Sequence, residues 1–269
     1  MLKPNYIQWT LLLFATTFLS CGTVQVYREA GKPVFYSNDN HRQPNGLADS
    51  LNVVTFNIKK SEKIQLAAAE LQDLEKTKNV DVYLLQEMDE KGVQEIARKL
   101  GLNYLYIPIV YDKPGDKNIG NAILTRGTIH QPEKLILPHS KWLSKRPRHV
   151  TIGEISIHQK KILVYSVHTE TVVMSRKNRM EQIDAILQHA KMQSSRYQYI
   201  LIGGDFNTLF SKDSKLAVDK FSGSGFYWSS ASAGSTASAF FGLIKPTHDY
   251  VFSSGLKPVH AFKIETSRS

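Results

Sequence analysis

At 269 residues with 42% hydrophobic and 22% charged side chains, the chain has globular composition, no internal repeat, and enough length to bury one large core. Its formal net charge of +10 suits polyanions such as nucleic acid, anionic lipid head groups or inositol phosphates; the plainer reading is a surface solubilised by lysines. The single cysteine, Cys21, excludes an internal disulfide and a zinc-type cysteine cluster, and neither a phosphate-binding Walker loop nor a dinucleotide fingerprint is present.

In chain order, Lys3 precedes an apolar stretch at residues 9–19 that is too short to span a bilayer comfortably, followed by Ser20-Cys21-Gly22. This pattern predicts a lipoprotein-type signal over residues 1–20, with Cys21 as the lipidated N-terminus, although Phe18 stands where Leu is usual. The other reading is an ordinary secretory signal with an incidental cysteine. Both imply export. Residues 21–50, with Gly31-Lys32-Pro33 and Gln43-Pro44-Asn45-Gly46, read as a tether. The domain proper is expected over 51–269.

Within it, strands are predicted at 52–57, 81–86, 103–110, 120–125, 148–157, 161–168, 199–204 and 248–253. Helices are predicted at 61–78, opened by Ser61 and striped by Ile64, Ala67, Ala68, Leu71 and Leu74, at 90–100, stopped by Gly101, and at 174–191. Many strands with a few interleaved helices predict an α/β sandwich. Ser222 to Ala239, rich in Ser, Ala and Gly, is expected as a mobile loop near the site.

Several apolar runs end in functional groups. Val53 to Phe56 ends in Asn57, Val82 to Leu85 in Gln86-Glu87, Ile162 to Val167 in His168, and Tyr199 to Ile202 in Gly203-Gly204-Asp205-Phe206-Asn207, while Asp249 opens a further run. Functional groups often sit where buried strands end. Asp205 and Asn207, two apart, would face one side if extended geometry lasted that long. Glu87 can bind a hard cation, His168 can polarise a phosphate oxygen, and Asp205 can orient an attacking water.

The blocks TFNI, LLQE, GNAILT, VYSVHTE, GGDFNT and HDYVF, in this order over residues 52–256, resemble the endonuclease/exonuclease/phosphatase superfamily, the deoxyribonuclease I-like fold. The resemblance implies a four-layer αββα sandwich that hydrolyses phosphate esters with a divalent cation, Mg²⁺ or else Mn²⁺ or Ca²⁺. It makes Glu87 the principal metal ligand with Asn57 beside it. It makes His168 the contact to the scissile phosphate, Asp205 the residue that orients water, and Asn207 its partner at the phosphate. Asp249 matches an acid that supports a second histidine. Asn121 and Arg148 are weaker candidates for phosphate contact. Arg179 and Gln182 match a family pattern and are expected to be structural.

The resemblance also implies a Ser-Asp-His block opening a last strand, which the run to Ser269 does not contain. The expectation is a chain that continues through that strand; otherwise the protein lacks a catalytic group, and His260, in an expected strand at 258–262, is the substitute to test. The expected protein is an exported monomer of the bacterial cell envelope, anchored through Cys21 or else secreted. It would act on a phosphodiester, either nucleic acid or a phospholipid head group of sphingomyelin or phosphoinositide type. The alternative is a catalytically impaired binding lipoprotein of the same fold.

Overall fold

The computed structural model describes residues 25–40, 50–140, 145–236 and 246–264. Cys21 and the signal segment lie outside the described residues, so the anchor call has no structural counterpart. The strands are β1 (Phe35–Ser37), β2 (Val53–Asn57), β3 (Val82–Met88), β4 (Asn103–Asp112), β5 (Lys117–Thr125), β6 (Thr128–Ser140), β7 (Pro147–Ile157), β8 (Lys160–His168), β9 (Tyr199–Asp205), β10 (Tyr227–Trp228) and β11 (Asp249–Ser254). The helices are α1 (Ile64–Lys78), α2 (Glu90–Leu100), α3 (Arg176–Gln193) and α4 (Ser211–Gly223).

Two mixed sheets face one another, in the orders β1-β4-β5-β3-β2 and β10-β11-β9-β8-β7-β6. The layer between them is aliphatic. Val82, Leu84, Leu105, Ile107 and Ile123 of the first sheet meet Ile129, Ile155, Ile162, Val164 and Leu201 of the second. Outside the first sheet, Ala67, Ala68 and Leu71 of α1 and Val93 and Ile96 of α2 pack on Tyr83, Leu85 and Leu124. Outside the second, Ile183, Ile186 and Ala190 of α3 and Ala217 and Phe221 of α4 pack on Tyr165, Ile202, Tyr250 and Phe252. Both faces of each sheet are thus covered, which is why the central strands read as unbroken apolar runs rather than alternating ones. The four layers are the expected αββα sandwich.

Three expectations need correction. The segment 21–50 is not wholly a tether. Phe35–Ser37 pairs with β4 at the sheet edge, Val26 bridges Val110, and buried Lys134 donates to the carbonyls of Tyr27 and Lys32 at 3.0 and 2.7 Å. Unpaired donors and acceptors along an edge strand recruit whatever backbone is near. Helix α1 begins at Ile64 without a side-chain cap, after a tight turn at Lys59–Ser61. Ser61 Oγ instead accepts from Asp89 N at 3.0 Å. Ser222–Ala239 is only partly a loop: α4 runs to Gly223, Tyr227–Trp228 pairs with β11, and Ala231–Ala233 makes a short turn, while residues 237–245 lie outside the described residues.

Candidate active site

The parallel pairs β2–β3 and β8–β9 bring the C-terminal ends of four strands to one end of the sandwich. There the aliphatic filling between the sheets gives way to polar side chains. His168 pairs in register with Asp205, and Asp205 with Asp249, so three groups distant in sequence become neighbours across strands. Asn57 reaches over from the other sheet, its Nδ2 donating to Asp205 Oδ2 at 3.0 Å.

Local backbone chemistry aims these groups. Close approach requires Gly204: its φ is +145°, and a Cβ there would lie 2.0 Å from Val167 O. Glu87 has φ +56° beside a register shift between Leu85 and Met88. A left-handed glutamate costs on the order of 1–3 kcal/mol and occurs where surrounding structure enforces it. The expected alternation of Asp205 and Asn207 does not hold. The strand ends at Asp205, Asn207 turns to φ +50°, and its backbone N donates to Asp205 Oδ1 at 2.8 Å. Asn207 Nδ2 donates to Thr169 O at 3.0 Å. A turn, not strand periodicity, gathers this pair.

His168 Nε2 stands 3.9 Å from Glu87 Oε1 and 4.0 Å from Asp205 Oδ2, beyond hydrogen-bond reach of either. Its Nδ1 lies 3.2 Å from Arg148 Nη1. A guanidinium only donates, so Nδ1 accepts, and the neutral ring carries its proton on Nε2, on the side of the acid pair. Arg148 Nη2 also donates to Glu170 Oε1 at 3.4 Å. Gln182 of α3 locks that loop, accepting from Glu170 N and donating to Pro138 O, both at 2.9 Å. Arg179 bonds buried Asp213 of α4 at 2.7 Å. The expected Arg-x-x-Gln pair therefore has structural contacts, and Glu170 serves to hold Arg148.

Burial raises the Glu87 carboxyl above the usual carboxylate range; the Asp205 charge adds to this, while Arg148, Lys60 and a hydrogen bond from Asn57 oppose it. Burial and then Asp205 push Asp249 up to about 8, against a hydrogen bond from Thr236. The histidine adjacent to it, His248, is depressed by burial, and its Nε2 has no partner among the described residues. Such a cluster of crowded acids attracts a cation. Among the described residues no three His, Cys, Asp or Glu side chains form a metal cage. Two carboxylates, Glu87 and Asp205, nonetheless fit a hard divalent ion, which is commonly held by one or two carboxylates with substrate phosphate oxygens completing the shell. Asn57 turns its Nδ2 to the acids while its Oδ1 accepts from Lys59 N at 2.9 Å, so it orients the carboxylates in this arrangement.

Two weaker candidates fall outside the mouth. Asn121 is buried, its Nδ2 donating to His149 O at 3.0 Å and Ser166 O at 3.4 Å, which ties the two sheets together. Arg148 lies behind His168. His260 is exposed and in no strand; it stacks on Phe262, over which Lys78 sits at the far end of α1, away from Asp249. Sequence reasoning passed over Arg148 as the partner of His168, Lys60 beside Glu87, and His248. His189 is buried as well, its ring held between Tyr165 Oη at 2.9 Å and Glu133 at 3.0 Å.

No curated protein sequence matches the chain. Solved structures are similar in fold. An endonuclease/exonuclease/phosphatase family protein from Leptotrichia buccalis is 19% identical with a TM-score of 0.56, over 76% of this chain and 87% of its own. A mannosyl-6-phosphatase from Bacteroides thetaiotaomicron is 18% identical with a TM-score of 0.59, over 81% and 90%. TDP2 from D. rerio, complexed with a single-strand DNA product, is 17% identical with a TM-score of 0.56, over 77% and 84%. The sequence profile of the Endonuclease/Exonuclease/phosphatase family matches residues 54–267, and with the site and fold just described the chain belongs to that family.

Proposed function

We propose that this protein is a divalent-cation-dependent phosphodiester hydrolase of the bacterial cell envelope, exported by its N-terminal signal and held through acylated Cys21. One observation carries the chemistry: Glu87 and Asp205, from opposite sheets, flank the Nε2–H side of His168 at 3.9 and 4.0 Å. The family's fold supports a phosphoester hydrolase, and the neighbours named above include one that acts on a phosphorylated sugar and one bound to a DNA product.

Glu87 with Asp205 would hold the cation, Mg²⁺ or else Mn²⁺ or Ca²⁺, which supplies charge neutralisation of the phosphate and of the leaving oxygen. Asp205, pinned by Asn57 and by the Asn207 backbone, orients water for in-line attack. His168 donates from Nε2 to a non-bridging phosphate oxygen, where charge accumulates in the transition state. Arg148 keeps that proton on Nε2. Asp249, its carboxyl pushed up to about 8 and so mainly protonated at neutrality, is suited to give a proton at the rear of the site.

The test is hydrolysis of plasmid DNA, RNA, sphingomyelin and inositol phosphates by the full chain with and without Mg²⁺, alongside Glu87→Gln. Most Mg²⁺-stimulated turnover is expected to disappear in the variant with its fold intact. Equal activity and equal Mg²⁺ dependence would overturn the assignment. Binding without cleavage of any substrate would leave the binding-lipoprotein reading in its place.

A further inference from the structure

Three loops converge beside the mouth. The turn after β2, the β4–β5 hairpin and the start of β7 are stapled by one buried acid, Asp112, which pairs with Lys60 at 3.5 Å and Arg146 at 3.1 Å. On the same loops Lys59, Lys113 and Lys145 are exposed. Lys59 N donates to Asn57 Oδ1 at 2.9 Å, and Asn57 Nδ2 to Asp205 Oδ2 at 3.0 Å, so this basic collar borders the site itself. Asp112 offsets two of these cations, and the acid that remains exposed on the hairpin, Asp116, accepts from Tyr111 Oη.

The other side of the mouth is apolar. The loops after β8 and β9 are stitched together by Thr169 Oγ1, which donates to Phe206 O at 2.7 Å, and by Asn207 Nδ2 to Thr169 O. From them Val173 is 79% exposed, Phe210 48% and Val172 39%. Large apolar side chains at loop tips bury nothing in the fold, and a nucleic-acid backbone offers them no partner.

The N-terminal segment leaves the domain at this end too. Tyr111 N donates to Gln25 O at 3.0 Å and Tyr27 N to Ile109 O at 2.9 Å, so the segment from Tyr27 back to Gln25 is aligned toward the tip of the β4–β5 hairpin. Cys21 stands four residues earlier in sequence, a reach of at most about 14 Å of extended backbone.

We infer that the mouth-bearing end of the sandwich is a docking face for an anionic phospholipid bilayer: lysines on one flank meet head-group charge, and Val172, Val173 and Phe210 on the other enter the interface. A basic flank with an adjoining apolar one is the combination interfacial binding requires, and charge alone gives no such apolar flank. The face goes beyond the hydrolase reading and does not depend on turnover; acylation of Cys21 would strengthen it but is not required.

The experiment uses the full chain carrying Cys21→Ser, so that acylation contributes nothing, with vesicles of phosphatidylcholine with and without phosphatidylglycerol. Preference for the anionic vesicles is expected. The combined Lys59→Glu, Lys113→Glu and Lys145→Glu variant should lose at least about 10²-fold of that preference, because removing each lysine's charge is worth about fivefold and the added carboxylates repel the surface further. A Val173→Ser, Phe210→Ser variant should lose the part of binding that survives high salt. Thermal melts establish that both variants fold. Equal binding of the parent to both vesicle types, or charge-reversed protein that prefers the anionic ones as strongly as the parent does, overturns the inference. Loss of single-stranded DNA binding in the charge-reversed variant, with no lipid preference in the parent, assigns the collar to nucleic acid instead. Hydrolysis of bis(p-nitrophenyl) phosphate, run in parallel, separates the two readings: its absence in the parent counts against the hydrolase while leaving the vesicle result intact.

Discussion

The layer between the two sheets has two regions built from the same strands. In its middle, Val82, Leu84, Val164 and Leu201 close it with aliphatic contacts. At its end, two to four residues farther along the same strands, Gln86, Glu87, His168 and Asp205 stand in the same layer. Gln86, with no exposed surface, donates to Leu84 O at 2.9 Å and Ser166 Oγ at 3.3 Å, marking the seam between the regions. The middle stabilises; the end stores crowded acids, a left-handed glutamate and a raised carboxyl, each unfavourable by itself. Precise chemistry at the end depends on the rigidity of the middle, because two packed sheets hold Asn57, Glu87, Arg148, His168, Asp205 and Asp249 at one end of the sandwich at fixed distances.

That contrast predicts that substitutions at the two ends of one strand affect different quantities. Asp205→Asn removes the negative charge and one of the two acceptor oxygens that orient water, and turnover is expected to fall by about 10²–10⁴-fold with melting temperature unchanged or raised. A fall in both would mean that Asp205 belongs to the stabilising region. Leu84→Ala, fully buried in the middle, is expected to cost about 2–5 kcal/mol of stability in denaturant unfolding. Its turnover per folded molecule should stay near the parent's; a large loss would show that the end senses the packing of the middle directly.

Arg148→Met sharpens the comparison at the seam. Without a donor on Nδ1, the His168 ring should populate both neutral tautomers, visible in its ring ¹⁵N shifts, and turnover should fall by roughly tenfold. Arg148→Lys, which keeps a donor, should restore part of both. A lower melting temperature with an unaltered ¹⁵N signature would reduce Arg148 to a packing role.

The smallest effect concerns pH. The folded Asp249 carboxyl titrates near 8, above its ordinary value of about 3.9. The native state therefore binds more protons than the unfolded one between these values, and stability falls as pH rises through that window. Asp249→Asn should remove this slope and raise the melting temperature at pH 8, with the two proteins converging near pH 4. Parallel melting curves across the window would show that Asp249 is not buried with its neighbour's charge.

The amino-acid sequence determined most of the strands and three of the four helices, because buried strands leave continuous apolar runs and helices leave periodic ones. It also marked Glu87, His168, Asp205 and Asp249, because polar residues at the ends of such runs are unusual. It did not mark β6, whose thirteen residues carry exposed Gln131 to Glu133 and two register shifts, nor α4, where few apolar residues suffice and an aspartate is buried against Arg176 and Arg179. Distances across the sheets lay beyond it altogether. That Asn57 meets Asp205 from 148 residues away, that Arg148 sits behind His168, and that an expected tether pairs with β4 follow from which strands lie side by side. Local pattern records whether a residue is buried; only the closed sandwich decides which other residue is buried against it.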